Sequence, residues 1–576
     1  MKRHTYLMLA SISLLACSVP AYPQGAAATR NILSRQQTQR LIRESTLTID
    51  SVLKRELYLP GLAIALVSRD EILWAQSFGY RDAMRVEKSD TSTLYGLLSI
   101  SKTVTVTGLL MAAQEGIIDL DVPIRTYLPG FQINSRFPED PMSRITMRHL
   151  LSMTSGMTHD APIGNNADPY APSYEDHIQS ISRTWLRFRT GERAEYSNLG
   201  VELAAHILET VTHKSFTDFI QTHVFDPLEM NRSTYDIDRI RAADNRAIGQ
   251  NKLFERVPLE HPMLAPGGVY ASVGDMARFL QFHVNDGTLH GTRLIQSQTL
   301  QQMRTIPFPM KDQVAGYGMG LWVGSYHLEG QDVRWLAHGG GGFGYRSQMK
   351  WLPDLGYGVI VLTNSQDHDN VNENLVEEVL LKIVELLVDK KDAGPAEWLN
   401  RHTPTRTVDA SYLPLDLAGR YNGTNDDMLF LAKDGRFGYA SGNTFVPVAV
   451  ISQDEVASRR YLYRFVRDAG GRAVSVTRPY DGMVWVLGSA GTELKGLEKK
   501  EWMNYVGTYV RKRFGTGEKF YNVSVKNGWL HFAGDGQDFR LSEYTPGLFF
   551  TPDGEAVDLR DAECTFRNIR LYKARD

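Results

Sequence analysis

Cysteine is almost missing from this chain: two in 576 residues, Cys17 and Cys564. Cys17 lies in an N-terminal leader, which leaves Cys564 alone in the body and excludes an intramolecular disulfide there. Long apolar runs are missing too. Beyond the leader no segment approaches the ~20 apolar residues that a membrane-spanning helix needs, so an integral membrane protein is not expected. There is no long basic run, and the formal net charge of −3 gives no electrostatic reason to expect nucleic acid. Neither H-E-x-x-H nor a P-loop occurs, so the expectation is no metal and no other cofactor. Asp367-His368-Asp369 has ligand-type residues, but its place in a loop after a strand reads as a solvated turn.

The leader itself is informative. Lys2, Arg3 and His4 precede an apolar run through Ala16, then small residues and a proline, the layout of a secretory signal. Leu14-Leu15-Ala16-Cys17 resembles a lipoprotein box, which would end the signal at residue 16 and lipidate Cys17. Val19-Pro20-Ala21 instead suits ordinary cleavage after residue 21. Either route predicts an extracytoplasmic protein, in the periplasm or cell envelope; on the first, a lipid anchor at Cys17 is its one membrane attachment.

The remaining length exceeds one compact core, and 42% hydrophobic residues supply material for several. Gly61–Val67 and Ile72–Ser77 are β-leaning runs around the turn cluster Ser68-Arg69-Asp70, which predicts an antiparallel hairpin. Helices are predicted at Thr103–Gln114, where dense apolar spacing implies burial, at Leu199–Thr210, at Asp275–His283 and at Leu375–Val388. Strands return at Val333–Ala337, Arg346–Leu352 and Val359–Thr363. The predicted fold is therefore α+β over residues 30–390, an antiparallel sheet assembled from both ends of the domain with a helical region inserted between.

Residues 391–410 are charged and proline-containing and read as a linker. After it come short strands and turns. Leu417-Ala418-Gly419-Arg420-Tyr421 is echoed by Tyr505-Val506-Gly507-Thr508-Tyr509, and Asp434-Gly435-Arg436-Phe437 by Asn527-Gly528-Trp529-Leu530. These echoes predict two small all-β barrel-like modules, 411–499 and 500–576. One larger barrel with chance echoes is the competing reading.

Three short strings carry chemistry. Ser99-Ile100-Ser101-Lys102 opens the buried helix, and in its first turn Lys102 would share a face with Ser99. Ser51-Val52-Leu53-Lys54 has the same spacing but sits among charged residues on a solvated helix, so context selects Ser99. Tyr196-Ser197-Asn198 precedes the next apolar helix. A free phenol titrates near 10, and a neighbouring ammonium such as Lys102 would favour its phenolate. His338 is followed by Gly339–Gly342 directly after a strand, where glycines admit a substrate backbone and the Gly341 N–H could serve an oxyanion. No G-x-S-x-G elbow is present to make these glycines the oxyanion segment of a lipase.

In this order the strings resemble the serine β-lactamase and penicillin-binding-protein-like superfamily, in its class C-like branch. Arg148–Met157 (R-H-L-L-S-M-T-S-G-M) and Pro266–Ser272 (P-G-G-V-Y-A-S) are similar to further segments of that family, and the resemblance covers roughly residues 40–390. It implies Ser99 as the acylated nucleophile and Lys102 with Tyr196 as the proton-transfer pair. Asn198 would orient Lys102 or the substrate amide, His338 and Gly340 would line the strand edge that binds substrate, and Gly341 would serve the oxyanion through its N–H beside that of Ser99. The β modules resemble the barrels appended to D-aminopeptidase-like members, where they shape or shield the cleft.

One residue departs from the family pattern. Class C enzymes carry K-T-G at the third string, and His338 takes the place of that lysine. Weaker recognition of an anionic substrate follows. The implied activity shifts from β-lactamase or D,D-carboxypeptidase toward an esterase or peptidase acting on a small-molecule or peptide substrate. A non-catalytic binding protein is the rival from another class, either a sensor that acylates without turnover or a scaffold that grips cell-wall material through its β modules.

Overall fold

The computed structural model describes residues 32–164, 172–252, 263–307, 315–328, 331–368, 370–387 and, with gaps, 412–574. The leader and the expected linker lie outside the described residues.

The predicted hairpin forms from β1 (Gly61–Ser68) and β2 (Ile72–Gly79). Ser68 closes its turn: its Oγ accepts the N–H groups of Asp70 and Glu71 at 3.3 and 3.1 Å, the local bond that short hydroxyl side chains offer. Five strands from the far end of the domain complete the sheet: β3 (Ala315–Tyr317), β4 (Trp322–Leu328), β5 (Gln331–Gly342), β6 (Tyr345–Leu352) and β7 (Tyr357–Thr363). Their order is β2-β1-β7-β6-β5-β4-β3, with every neighbouring pair antiparallel.

All eight residues of β1 are buried because both faces of the sheet are covered. Ala63, Ala65 and Val67 join a core on the side of the inserted helices, while Leu62, Ile64 and Leu66 join a second core beneath α1 (Arg35–Arg55) and α5 (Val371–Leu387). The period of two thus sorts one continuous apolar run into two cores. Between β2 and β3 lie α2 (Ser101–Gln114), α3 (Asn198–Thr212) and α4 (Val273–Val284). α2 is buried from Ser101 to Ala112, as its uninterrupted small and apolar residues require.

The glycine run differs from expectation. It does not follow the strand but forms its end, since Gly339–Gly342 pair with Gln348–Tyr345 of β6. Pairing between β5 and β4 stops at Ala337↔Trp322. Among the described residues, His338–Gly342 therefore present an open strand edge.

The described part of residues 412–574 forms two all-β modules with one topology. Each has nine strands among the described residues, in the spatial order 4-3-2-1-9-8-7-6-5 counted within the module. Each is a meander whose first strand pairs with its last, giving a nearly closed barrel-like sheet. The repeated G-x-Y acquires a physical reason here. Tyr421 donates its phenol to the Leu417 carbonyl at 3.0 Å, and Tyr509 makes the equivalent bond to Tyr505 at 2.7 Å. Each buried ring locks the chain entering its module. The D-G and N-G echoes end on Gly435 and Gly528, with φ of 70° and 75°, where the tight hairpin needs the left-handed region.

Candidate active site

Ser99 does not lie within the long helix. It occupies a single 3-10 turn, Leu98–Ile100, immediately before α2, and Leu98 holds φ at 51°. A left-handed leucine costs of order 1–3 kcal/mol and persists only where its surroundings enforce it. Leu97 supplies that anchorage: its N–H donates to Val269 O at 2.9 Å, and its carbonyl accepts Ser347 Oγ from β6 at 2.6 Å. Ser99 is left half-buried while Leu98, Ile100 and Lys102 are buried. Ser51 is exposed on α1, far from any such setting.

Lys102, in the first turn of α2, reaches back with Nζ 3.1 Å from Ser99 Oγ and 3.0 Å from the carbonyl of Pro266. Burial brings its pKa down to about 7, against the pull of the Asp160 and Glu202 carboxylates, which favour the ammonium. A neutral amine is thus available beside the serine at physiological pH. Glu202, on α3, was not singled out from sequence. It is fully buried, with burial raising its pKa to about 8, and Oε1 accepts the Ala265 N–H at 3.3 Å, one residue from the carbonyl that holds Lys102.

Tyr196 stands just before α3, whose N-cap Ser197 accepts the Gly200 N–H. Its phenol is hydrogen-bonded to Ser99, and its ring lies 4.8 Å from Lys102 Nζ. The expected shift toward phenolate is reversed. Burial pushes the phenol above its ordinary value, and Asp160 adds to the rise, so Tyr196 is neutral at pH 7. Asn198 directs Nδ2 to Asp160 Oδ1 at 3.3 Å, and no hydrogen bond joins it to Lys102 among the described residues.

His338 is buried on β5. Its Nδ1 lies 2.7 Å from the Gly339 carbonyl, which only accepts, so Nδ1 carries the proton and Nε2 accepts the Tyr317 phenol at 3.1 Å. Burial, with Lys102 nearby, lowers its pKa to about 3. The imidazole is neutral at pH 7 rather than partly charged. Tyr317 and His159, neither foreseen, complete an aromatic wall: the Tyr196 ring is 6.0 Å from Tyr317, 5.7 Å from His159 and 6.4 Å from His338.

The two glycines serve differently. A Cβ on Gly340 would collide with the Leu97 carbonyl oxygen and Ser347 Oγ, so this glycine lets β5 press against the turn carrying Ser99. A Cβ on Gly341 would meet nothing within 4 Å, which places open space beside the strand edge there. Asp367 accepts the Lys252 N–H, and His368 is buried with Nε2 3.1 Å from Thr363 Oγ1, so that segment is packed rather than solvated; Asp369 lies outside the described residues.

A half-buried serine, a buried amine on its oxygen and an open strand edge stand side by side. The family model of beta-lactamases matches residues 49–381. The chain belongs to the beta-lactamase family. Among curated relatives of this beta-lactamase-family chain, protein flp of Staphylococcus aureus (strain MW2) is 25% identical over 371 residues, 63% of this chain and 71% of the relative. Beta-lactamase-like protein 2 of Dictyostelium discoideum is 23% identical, over 68% of this chain and 71% of its own length. Among solved structures, the octameric penicillin-binding protein homologue from Pyrococcus abyssi superimposes with a TM-score of 0.52 at 19% identity, over 88% of this chain and all of that one. SurE crystallised with D-Leu gives 0.53 at 19% identity, over 79% of this chain and all of its own. At these identities the structural likeness speaks for fold, and the fold is that of the penicillin-binding-protein-like serine hydrolases.

Proposed function

We propose that this family member is an exported hydrolase that cleaves an ester or amide through an acyl-enzyme on Ser99, acting on a small ester or a D-amino-acid-containing peptide. The observation that carries the reading is the 3.1 Å contact between Lys102 Nζ and Ser99 Oγ at the open edge of β5. Neutral Lys102 takes the serine proton as Oγ bonds to the substrate carbonyl carbon. The developing oxyanion is received by the N–H groups of Ser99 and Gly341. Collapse breaks the bond to the leaving alcohol or amine, which takes its proton through Tyr196 from the Lys102 ammonium. Water then repeats the sequence on the acyl-enzyme. Uncharged His338 supports a substrate without a carboxylate at that position, and so an esterase or peptidase over a β-lactamase. The relative solved with D-Leu makes D-aminoacyl substrates the first to assay. Export rests on the leader, residues 1–21.

A fluorophosphonate probe is expected to add once to the wild type, on Ser99, and not to Ser99→Ala, read by intact-protein mass. Equal labelling of both sinks the assignment. Turnover of a p-nitrophenyl ester beyond one equivalent distinguishes a hydrolase from an acylating sensor.

The pH profile gives a second check. Because Lys102 acts as a base only when neutral, kcat/KM should rise through an acid limb near pH 7, the value to which burial brings its pKa. His338 should contribute no limb between pH 5 and 8, since it loses its proton near pH 3. A limb that vanishes in His338→Gln but persists when Lys102 is altered would contradict this assignment.

A further inference from the structure

The second β-module meets the catalytic domain beside the Tyr196 loop, at the segment Thr158-His159-Asp160. From within the domain this segment is tied to the start of α3: Ser197 Oγ donates to Thr158 O at 2.6 Å, and the Asn198 N–H to His159 O at 3.1 Å. From outside, two tips of the module grip the first and last of these residues. Thr158 Oγ1 donates to Glu555 Oε2 at 2.7 Å, and Asn568 Nδ2 donates to the Asp160 carbonyl at 2.8 Å. Glu555 is itself buried and paired with Arg187 at 3.0 Å. Both tips are shaped for the contact. Gly554, with φ at 86°, lies so close to the Arg187 carbonyl that no side chain fits, and Asn568 adopts the left-handed region that asparagine tolerates.

We propose that Asp160 is a positioning residue for the Ser99–Lys102 pair, and that the second module is part of the hydrolytic machinery because it holds Asp160 in place. The inference rests on the acyl-enzyme reading above. Asp160 keeps its carboxylate turned inward, on Asn198 Nδ2 at 3.3 Å and His159 Nδ1 at 3.0 Å, and its charge acts on both Lys102 and Tyr196. The groups facing Lys102 are Ser99, the Pro266 carbonyl, the Tyr196 ring, the carboxylates of Asp160 and Glu202, and uncharged His338. Those facing Asp160 include Lys102, Asn198, His159, Tyr196 and, on its carbonyl, Asn568. Of the two carboxylates, Asp160 acts more strongly on Lys102, and it is the one gripped by the module.

The sign of the effect is fixed. Asp160 favours the Lys102 ammonium, so its removal makes the amine easier to deprotonate and moves the acid limb of acylation to lower pH. A role limited to folding would lower the rate at all pH values without moving the limb.

The test uses the full chain and single-turnover acylation by a p-nitrophenyl ester from pH 5 to 9. Asp160→Asn is expected to move the acid limb down by roughly one pH unit. Asn568→Ala should move it in the same direction by less, with the circular-dichroism spectrum unchanged. A folded Asp160→Asn protein whose limb coincides with the wild type overturns the role of Asp160. A displaced limb in Asp160→Asn beside an unmoved one in Asn568→Ala overturns the role of the module. Asn568→Ala removes one amide at the rim and carries the test alone if Asp160→Asn does not fold. Absence of any Ser99 adduct in the wild type would instead refute the acyl-enzyme reading, so the two failures are distinguishable.

Discussion

Lys102→Met is expected to acylate about a thousandfold more slowly than the wild type, within the ~10²–10⁴-fold range that a positioned base contributes. Methionine keeps the length and flexibility of the stem inside a fully buried site and deletes only the amine. Burial already disfavours the charged form of Lys102, so deleting the amine relieves that desolvation, at the expense of the Pro266 carbonyl it held. A variant with an unchanged circular-dichroism spectrum whose stopped-flow acylation rate falls ties the loss to the missing base. Fluorophosphonate labelling should slow in parallel, since that reaction also needs an activated Ser99. A rate within tenfold of the wild type would move the base elsewhere, with Tyr196 the next group on the serine oxygen.

Arg187→Met has the largest expected effect on stability. Burial alone would lower the pKa of this guanidinium, but Glu555, Asp553 and Glu195 reverse the sign and hold it above its ordinary value. The pairs with Glu555 and Asp553, both on the second module, are 3.0 Å long, and Glu195 stands at 3.6 Å. Removing the cation leaves Glu555, only 3% exposed, with Thr158 Oγ1 at 2.7 Å and Arg567 at 4.0 Å as its remaining partners, at a cost of up to about 3–5 kcal/mol. Urea unfolding of the full chain should show the loss as an earlier first transition. Trp185, which packs on Tyr544 and Phe550 of the same module at 5.5 and 5.7 Å, reports on that separation. A transition displaced by less than about 1 kcal/mol would mean that the interface does not depend on this pair.

The two variants also mark how far the sequence could be read. The Ser99–Lys102 pair was legible because three residues along a helical start fix the two side chains on one face, and the apolar run behind them distinguishes them from Ser51–Lys54. The β1–β2 hairpin was legible from its turn chemistry, and the module repeat from a tyrosine that bonds its own chain four residues back. What escaped is long-range. Asp160, His159, Glu202 and Tyr317 have no local pattern; they matter because the fold sets them against Lys102, Tyr196 and His338. The glycine run was placed after the strand because glycine is a poor strand former. It extends β5 because a side chain at Gly340 would push the strand off the Ser99 turn. The phenolate expectation for Tyr196 counted a neighbouring charge and left out burial, which outweighs it.

The sheet built from both ends of the domain bears on how the protein is made. The Gly61 N–H donates to the Asn364 side chain 303 residues later, so β1 emerges from the ribosome with β7 still to be synthesised. At ~5–20 residues per second that interval is roughly 15–60 s, during which an apolar strand and the helices that cover it have no sheet to join. Asn568, which grips Asp160, is later still. A nascent chain would carry the serine and the lysine long before it carried the module whose Asn568 holds the Asp160 carbonyl.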